Sequence, residues 1–163
     1  ELQITADKEA SDADRFIELL RSSLIMGAAH LANERGGYPK DFCNWGWKVT
    51  GVDKYEKVEG QGTKIGWIFN ESICLDMKAA LSVIKPLSTR LGNHLGSSER
   101  AINKALYEAG MLAKCDEGRH KTKVSVEGRR VPVICLPVSR VVDLVDDEAL
   151  SKDHALQKHE SPF

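Results

Sequence analysis

An α+β domain with the layout of a winged helix-turn-helix, with an N-terminal helix and a small aromatic β insert, is what three features of this 163-residue chain predict. First, Ala101, Ile102, Ala105, Leu106 and Ala109 recur at spacings of three and four, the period of a helix with one packing face. Second, KTKVSVE and VPVICL, at 121–127 and 131–136, are β-rich runs separated by Gly128, Arg129 and Arg130, the composition of a short turn between antiparallel strands. Third, MKAALSVIKPLSTRLG at 77–92 is a second amphipathic segment, joined to the first by the turn-prone GNHLG. Helix, turn, helix and a two-stranded wing follow one another.

The elements can be justified in order. Residues 1–10 are polar and unpatterned and read as a linker. Ser11 opens S-D-A-D, close to a capping box, and Phe16, Leu19, Leu20, Leu24, Ala28 and Leu31 then recur at helical spacing. A helix is expected from about 12 to 34, stopping at Gly36-Gly37. His30 falls near its apolar stripe and is expected to be a core or boundary residue. Residues 38–71 turn aromatic and glycine-rich, with DFCNWGWKVTG and TKIGWIFNES around a polar loop, so a hairpin or a pair of short strands is expected there. Alternation would put Trp45 and Trp47 on one strand face. With Trp67 they could stack on unpaired bases, but core packing is the preferred reading.

SICLD reads as a short buried strand whose Asp76 can cap the next helix. Pro86 should kink that helix or divide it into two near Lys85. Ser97 or Ser98 caps the helix that follows. The domain is expected to span 11–137, with a short closing helix at 138–150, where Val138, Val141, Val142 and Val145 are spaced almost helically after Ser139, and a disordered tail at 151–163.

Composition narrows the function. No stretch approaches eighteen apolar residues, so no membrane partner is expected. The lack of a signal peptide and the non-methionine Glu1 suggest a fragment of a longer, cytoplasmic protein. Cys43, Cys74, Cys115 and Cys135 are scattered without zinc-site spacing; Cys74 and Cys135 sit in apolar runs and are expected buried and reduced, and Cys115 with His120 would make only an incomplete metal site. No cofactor, metal site or catalytic residue is expected. A phosphate loop, H-E-x-x-H and G-x-S-x-G are all missing, and the acids of the C-terminal tail read as solvated charge.

The net charge of -1 conceals an uneven distribution. Acids crowd both ends, while residues 15–140 hold 13 acids and 20 bases, a net of +7 that suits a polyanion. DNA is the expected partner, duplex in preference to single strands. The helix after the turn can enter a groove about 12 Å wide, and its Arg100, Asn103 and Lys104 have the chemistry to meet guanine, adenine and phosphate respectively. Lys114, Arg119, His120, Lys121, Lys123, Arg129 and Arg130 surround or lie within the wing. Lys121 and Lys123 share a strand face opposite Val124 and Val126, and Arg129 and Arg130 occupy the tip, so the row can follow a phosphate backbone without reading sequence. Edge strands also carry lysine simply to prevent aggregation.

Residues 62–92 and 97–136 together resemble the C-terminal winged-helix region of primase and helicase replication proteins carried by phages and integrative elements. The shared features are W-G-W at 45–47, I-G-W at 65–67, S-E-R opening a helix at 98, A-G-M-L ending it at 109–112, and the basic pair between strands. Residues 12–48 look like the segment that precedes this region, so the resemblance covers roughly 12–137. It implies an accessory DNA-binding or positioning domain, not itself an enzyme, with phosphate chemistry elsewhere in the parent protein. The alternative is a protein-interaction module of the same fold, docking on a helicase or another subunit through the aromatic insert or the Val138–Val145 segment. A transcriptional repressor, which would be a symmetric dimer on a palindromic site, is the third reading.

Overall fold

Helix α1 covers Leu2–Ile25 in the computed structural model, which describes residues 2–113 and 120–142. Helix therefore replaces the expected linker, and Ser11 is interior to it and not a cap. The helix also ends well short of residue 34. Ala28 N–H reaches back to the Ser23 carbonyl at 2.9 Å across Gly27, whose φ of 75° suits the left-handed closing residue of a Schellman motif. Phe16, Leu19, Leu20 and Leu24 are buried on α1 as expected, but Leu31 reaches the same core from strand β1, Ala29–Ala32.

The aromatic insert divides between two sheets. Strands β2, Trp47–Thr50, and β3, Lys57–Gly60, form a separate antiparallel ribbon. The IGWIF run does not pair with the first aromatic run; it becomes β4, Thr63–Phe69, between β1 and β5, Ser72–Leu75. Trp45 ends a short 3-10 turn outside β2, so Trp45 and Trp47 do not share a strand face. Both Trp45 and Trp67 are buried, in line with the core reading.

The main sheet has the order β1-β4-β5-β7-β6, where β6 is Thr122–Val126 and β7 is Arg129–Pro137. Only the β1–β4 pair is parallel. Its register skips Ile65, and this bulge reverses the alternation: Ile65 and Ile68 pack toward the helices while Trp67 and Phe69 pack on the other face. On the helix face, Ile73, Leu75, Ile134 and Leu136 meet Phe16, Leu20, Ile84, Ile102 and Leu106 in one core. On the far face, Trp67, Cys74 and Cys135 meet Val126 and Val133 from the hairpin. Cys74 and Cys135 are opposite one another across β5 and β7, buried, with sulfurs 3.5 Å apart.

Helix α2, Met77–Arg90, starts at Asp76, whose carboxylate accepts from the N–H groups of Lys78 and Ala79 at 3.2 and 3.5 Å. Pro86 lies within this single helix, so the expected division near Lys85 does not occur. Proline removes one backbone donor, but Ile84 and Leu87 on either side are buried, and their packing holds the helix together. Helix α3, Glu99–Glu108, is capped by Ser98, whose hydroxyl accepts from Ala101 N–H at 3.2 Å. Residues 138–142 are helical, and Val141 is buried against α1, with Arg21 Nε donating to its carbonyl at 2.6 Å. The rest of the expected closing helix and the tail, 143–163, lie outside the described residues.

The turn between α2 and α3 determines where α3 sits. Leu95 is fully buried there, its N–H bonded to the Ser88 hydroxyl at 3.0 Å. Ser97 donates to Asp12 of α1 at 2.5 Å, and Arg15 donates to the His94 carbonyl at 3.2 Å. Leu95→Ala should therefore cost about 2–4 kcal/mol, the usual loss for truncating a fully enclosed leucine. Urea unfolding followed by circular dichroism measures it, and a loss below about 1 kcal/mol would mean that the turn is not held by this side chain.

Candidate functional site

Successive residues of a helix are about 100° apart, and α3 uses three sides. Ile102, Ala105 and Leu106 are buried in the core, and Lys104 and Tyr107 are exposed. Glu99, Arg100 and Asn103 lie on the flank between, facing the β6–β7 hairpin across a cavity of about 660 Å³. His120, Lys121, Thr122, Lys123, Arg130 and Pro132 form its other wall. Lys123 and Pro132 are cross-strand partners, so β6 and β7 both contribute to that wall.

Five of the nine expected DNA contacts thus line one cavity: Arg100, Asn103, Lys121, Lys123 and Arg130. Asn103 does so from a buried position, with 5% of its surface exposed, and so cannot project beside Arg100 toward an outside groove as expected. Lys104 points away from the cavity, 3.8 Å from Glu108 one turn along. Lys114 and Arg119 lie outside the described residues, as does Cys115. Lys123 alternates with Val124 and Val126 as expected, and β6 is an edge strand of the sheet.

The hairpin tip departs from the expected one. The turn residues are Glu127 and Gly128, with φ of 50° and 78°, as a two-residue type I′ turn requires. Arg129 and Arg130 are the first residues of β7, and Arg129 pairs with Val126 across the strand ends. Although its residues are exposed, the tip is fastened to the body of the protein. Lys64 Nζ donates to Glu127 Oε2 at 2.6 Å and Trp67 Nε1 donates to the same oxygen at 2.8 Å. Glu127 N–H donates to the Glu34 carbonyl at 2.7 Å. A side chain on Gly36 would meet Glu127 Oε1 at 2.6 Å, so the Gly36-Gly37 pair, expected to stop a helix, instead belongs to the loop that receives the carboxylate. Residue patterning missed this latch because its members lie on β4 and the hairpin turn, about sixty residues apart. The glutamate-glycine pair after an alternating run was the one local signal.

Charge in the cavity is partly balanced. Lys121 Nζ lies 2.8 Å from Glu99 Oε1 and forms an ion pair with it. Asn103 Oδ1 is buried without a partner. Among the described residues Arg100, Lys123 and Arg130 form no ion pair. The wall is cationic at its rim and carries the unpaired Asn103 Oδ1 on the α3 side. Tyr107 and His120 rings lie 4.9 Å apart at its edge.

Elsewhere, His30 is a boundary residue on β1. Its Nδ1 lies 2.8 Å from the Gln61 carbonyl, and its ring meets Trp47 edge-on at 4.9 Å. Among the described residues no group of three or more His, Cys, Asp or Glu side chains is arranged to hold a metal ion, and no helix is long and apolar enough to cross a membrane. Comparison of the chain with family models, with curated proteins and with solved structures finds no match.

The Lys64 and Trp67 hydrogen bonds, followed by the charges of Lys64 and Arg129, hold the Glu127 carboxyl below its ordinary value of 4.5, against an opposing effect of burial. A carboxylate whose pKa is lowered on folding stabilises the fold above its unfolded value and loses that contribution as pH falls through the folded one. Wild-type protein should accordingly exceed Glu127→Gln in stability by about 1 kcal/mol near neutrality, with the margin shrinking below about pH 4.5. Urea midpoints of the two proteins at several pH values measure this; a margin independent of pH would remove the ionic part of the latch.

Proposed function

We propose that this chain is a DNA-binding accessory domain of a mobile-element replication primase or helicase, and that it holds nucleic acid between α3 and the β6–β7 hairpin. The observation that carries the reading is the meeting of Arg100, Lys121, Lys123 and Arg130 on one cavity, opposed only by Glu99. Four bases on two separate elements exceed what keeping an edge strand soluble requires. In this reading α2, the 91–98 turn and α3 are the helix-turn-helix and β6–β7 is the wing, with β5 as the third strand beside it. The wing contributes its flank, since its tip is latched to β4 through Glu127. The replication context rests on the resemblance of residues 12–137 alone.

Phosphate contacts dominate, because Arg100 and Lys104 are the only exposed bases on α3 and Asn103 is turned inward. The domain itself performs no chemistry in this account. A second reading, docking onto a helicase or other subunit, draws on the β2–β3 ribbon, where Val49, Val52 and Tyr55 are 51%, 71% and 73% exposed.

Titration of labelled duplex and single-stranded DNA against salt tests the proposal. Binding should weaken steeply with salt, and the double variant Lys123→Glu with Arg130→Glu should lower the slope of log K against log salt by about 1.8 on duplex, two contacts at ~0.9 each. No binding at low salt, or binding indifferent to salt, would sink the DNA reading. Retained assembly with a replication partner in that double variant, together with loss of assembly in Val52→Asp/Tyr55→Asp, would favour the docking reading instead.

A further inference from the structure

We propose that Glu99 is an internal occupant of the cleft between α3 and the hairpin: its carboxylate withholds Lys121 from DNA and so limits how tightly the domain grips a nucleic acid chain. The inference rests on the DNA-binding reading and deepens it, dividing the cations of the cleft into those available to phosphate and one held back. Three observations carry it. Arg100, Lys121, Lys123 and Arg130 line the cleft with Glu99 as the one carboxylate among them, and that carboxylate is not shared out. Glu99 Oε1 lies 2.8 Å from Lys121 Nζ, whereas Arg100, Lys123 and Arg130 form no ion pair among the described residues. Glu99 is also well held, as the first residue of α3 after the Ser98 cap, where the positive end of the helix dipole favours a carboxylate. Its side chain is 28% exposed against 43% for Lys121. Finally, Glu99 belongs to α3 and Lys121 to the start of the hairpin, so the pair spans the space that a phosphate chain would enter.

A phosphate approaching Lys121 must either displace the carboxylate or share the ammonium with it. Displacement exchanges one ion pair for another and leaves Glu99 unneutralised beside the incoming anion. Sharing places two anions on one cation, where they repel each other. Neither gives what a free lysine gives, which is neutralisation of one phosphate and release of its counterion. Arg100, Lys123 and Arg130 face no such competition and form the working set. Glu99 therefore subtracts roughly one phosphate contact from the affinity of the domain. A binder that reads backbone and not sequence is thereby kept able to let go and move along its strand.

Fluorescence anisotropy with one labelled duplex, titrated over a range of salt concentrations, compares wild-type protein with three variants whose folding is checked by circular dichroism. Glu99→Gln keeps the side-chain shape and frees Lys121. It should bind about eightfold more tightly at ~0.1 M salt, with a slope of log K against log salt steeper by ~0.9, the increment of one phosphate contact. Glu59→Gln removes the same charge and frees a lysine from a pair of similar length, Lys57–Glu59 at 2.7 Å on β3, away from the cleft. It should change affinity by less than about twofold, since charge distant from the bound chain is screened. Adding Lys121→Gln to Glu99→Gln should remove the gained slope, because the gain passes through this lysine. Affinity and slope of Glu99→Gln equal to wild type, or a gain matched by Glu59→Gln, overturns the inference and leaves salt-dependent DNA binding standing. Weaker binding by Glu99→Gln overturns it too, making the pair a strut that positions the hairpin. A gained slope that survives Lys121→Gln overturns the assignment to that lysine. Failure of wild-type protein to bind duplex at low salt removes the underlying DNA reading, and this inference with it.

Discussion

A strand of nine residues paired to one of four cannot lie wholly within the sheet, and the rest of the site follows from that mismatch between β7 and β5. Ile134–Pro137 pair with β5 and complete the sheet under the helices. Arg129–Val133 extend past it with only β6 as a partner, and a two-stranded ribbon twists more strongly than a wide sheet. The ribbon's apolar face, with Val126 and Val133, closes over Trp67, Cys74 and Cys135. Its other face, with Lys123, Arg130 and Pro132, is turned toward α3. One strand overhang thus builds a second core and a cavity wall together.

The Glu127 latch makes this geometry persistent. A hairpin attached at one end only would swing about the β5–β7 pairing, and the cavity would have no defined width. With the carboxylate bonded to Lys64 and Trp67, and the backbone of the same residue bonded to Glu34, the far end of the ribbon is fastened to β4 and to the loop after β1. On the opposite side, Leu95 and the Ser97–Asp12 bond fasten the start of α3 to α1 and α2. Both walls are therefore anchored to the sheet-and-helix core. The Lys121–Glu99 pair is the ionic contact that spans them among the described residues.

Legibility in the sequence followed the range of the interaction. Periodicity found the centre of each helix's buried face, because Phe16, Ile84 and Leu106 obey a local rule, but Ala101 and Ala109, expected on the packing face of α3, are exposed at its ends. It misjudged ends where two signals competed. Ala28 and Leu31 continued the helical spacing of α1, yet Gly27 had already closed the helix, and Leu31 was apolar because β1 needed it. The hairpin turn was placed too late because Gly-Arg-Arg is a plausible turn composition, whereas the turn begins at Glu127, a residue type that seldom adopts the positive φ required there. Pairing of β4 with β1 and β5 was invisible, since strand partners are decided by packing between distant segments. Arg100, Lys121, Lys123 and Arg130 were legible as a basic group; that they face one another was not.

Asn103 shows why the difference matters. Outward reading of a groove needs the polar side chain on the exposed arc of α3, where Lys104 and Tyr107 lie. Asn103 is instead at the border of the apolar arc, one turn from Glu99 and beside the hairpin, where its Oδ1 is removed from water without receiving a hydrogen bond. An unsatisfied buried polar atom costs on the order of 1–3 kcal/mol, and leucine in its place would extend the packing of Ile102 and Leu106.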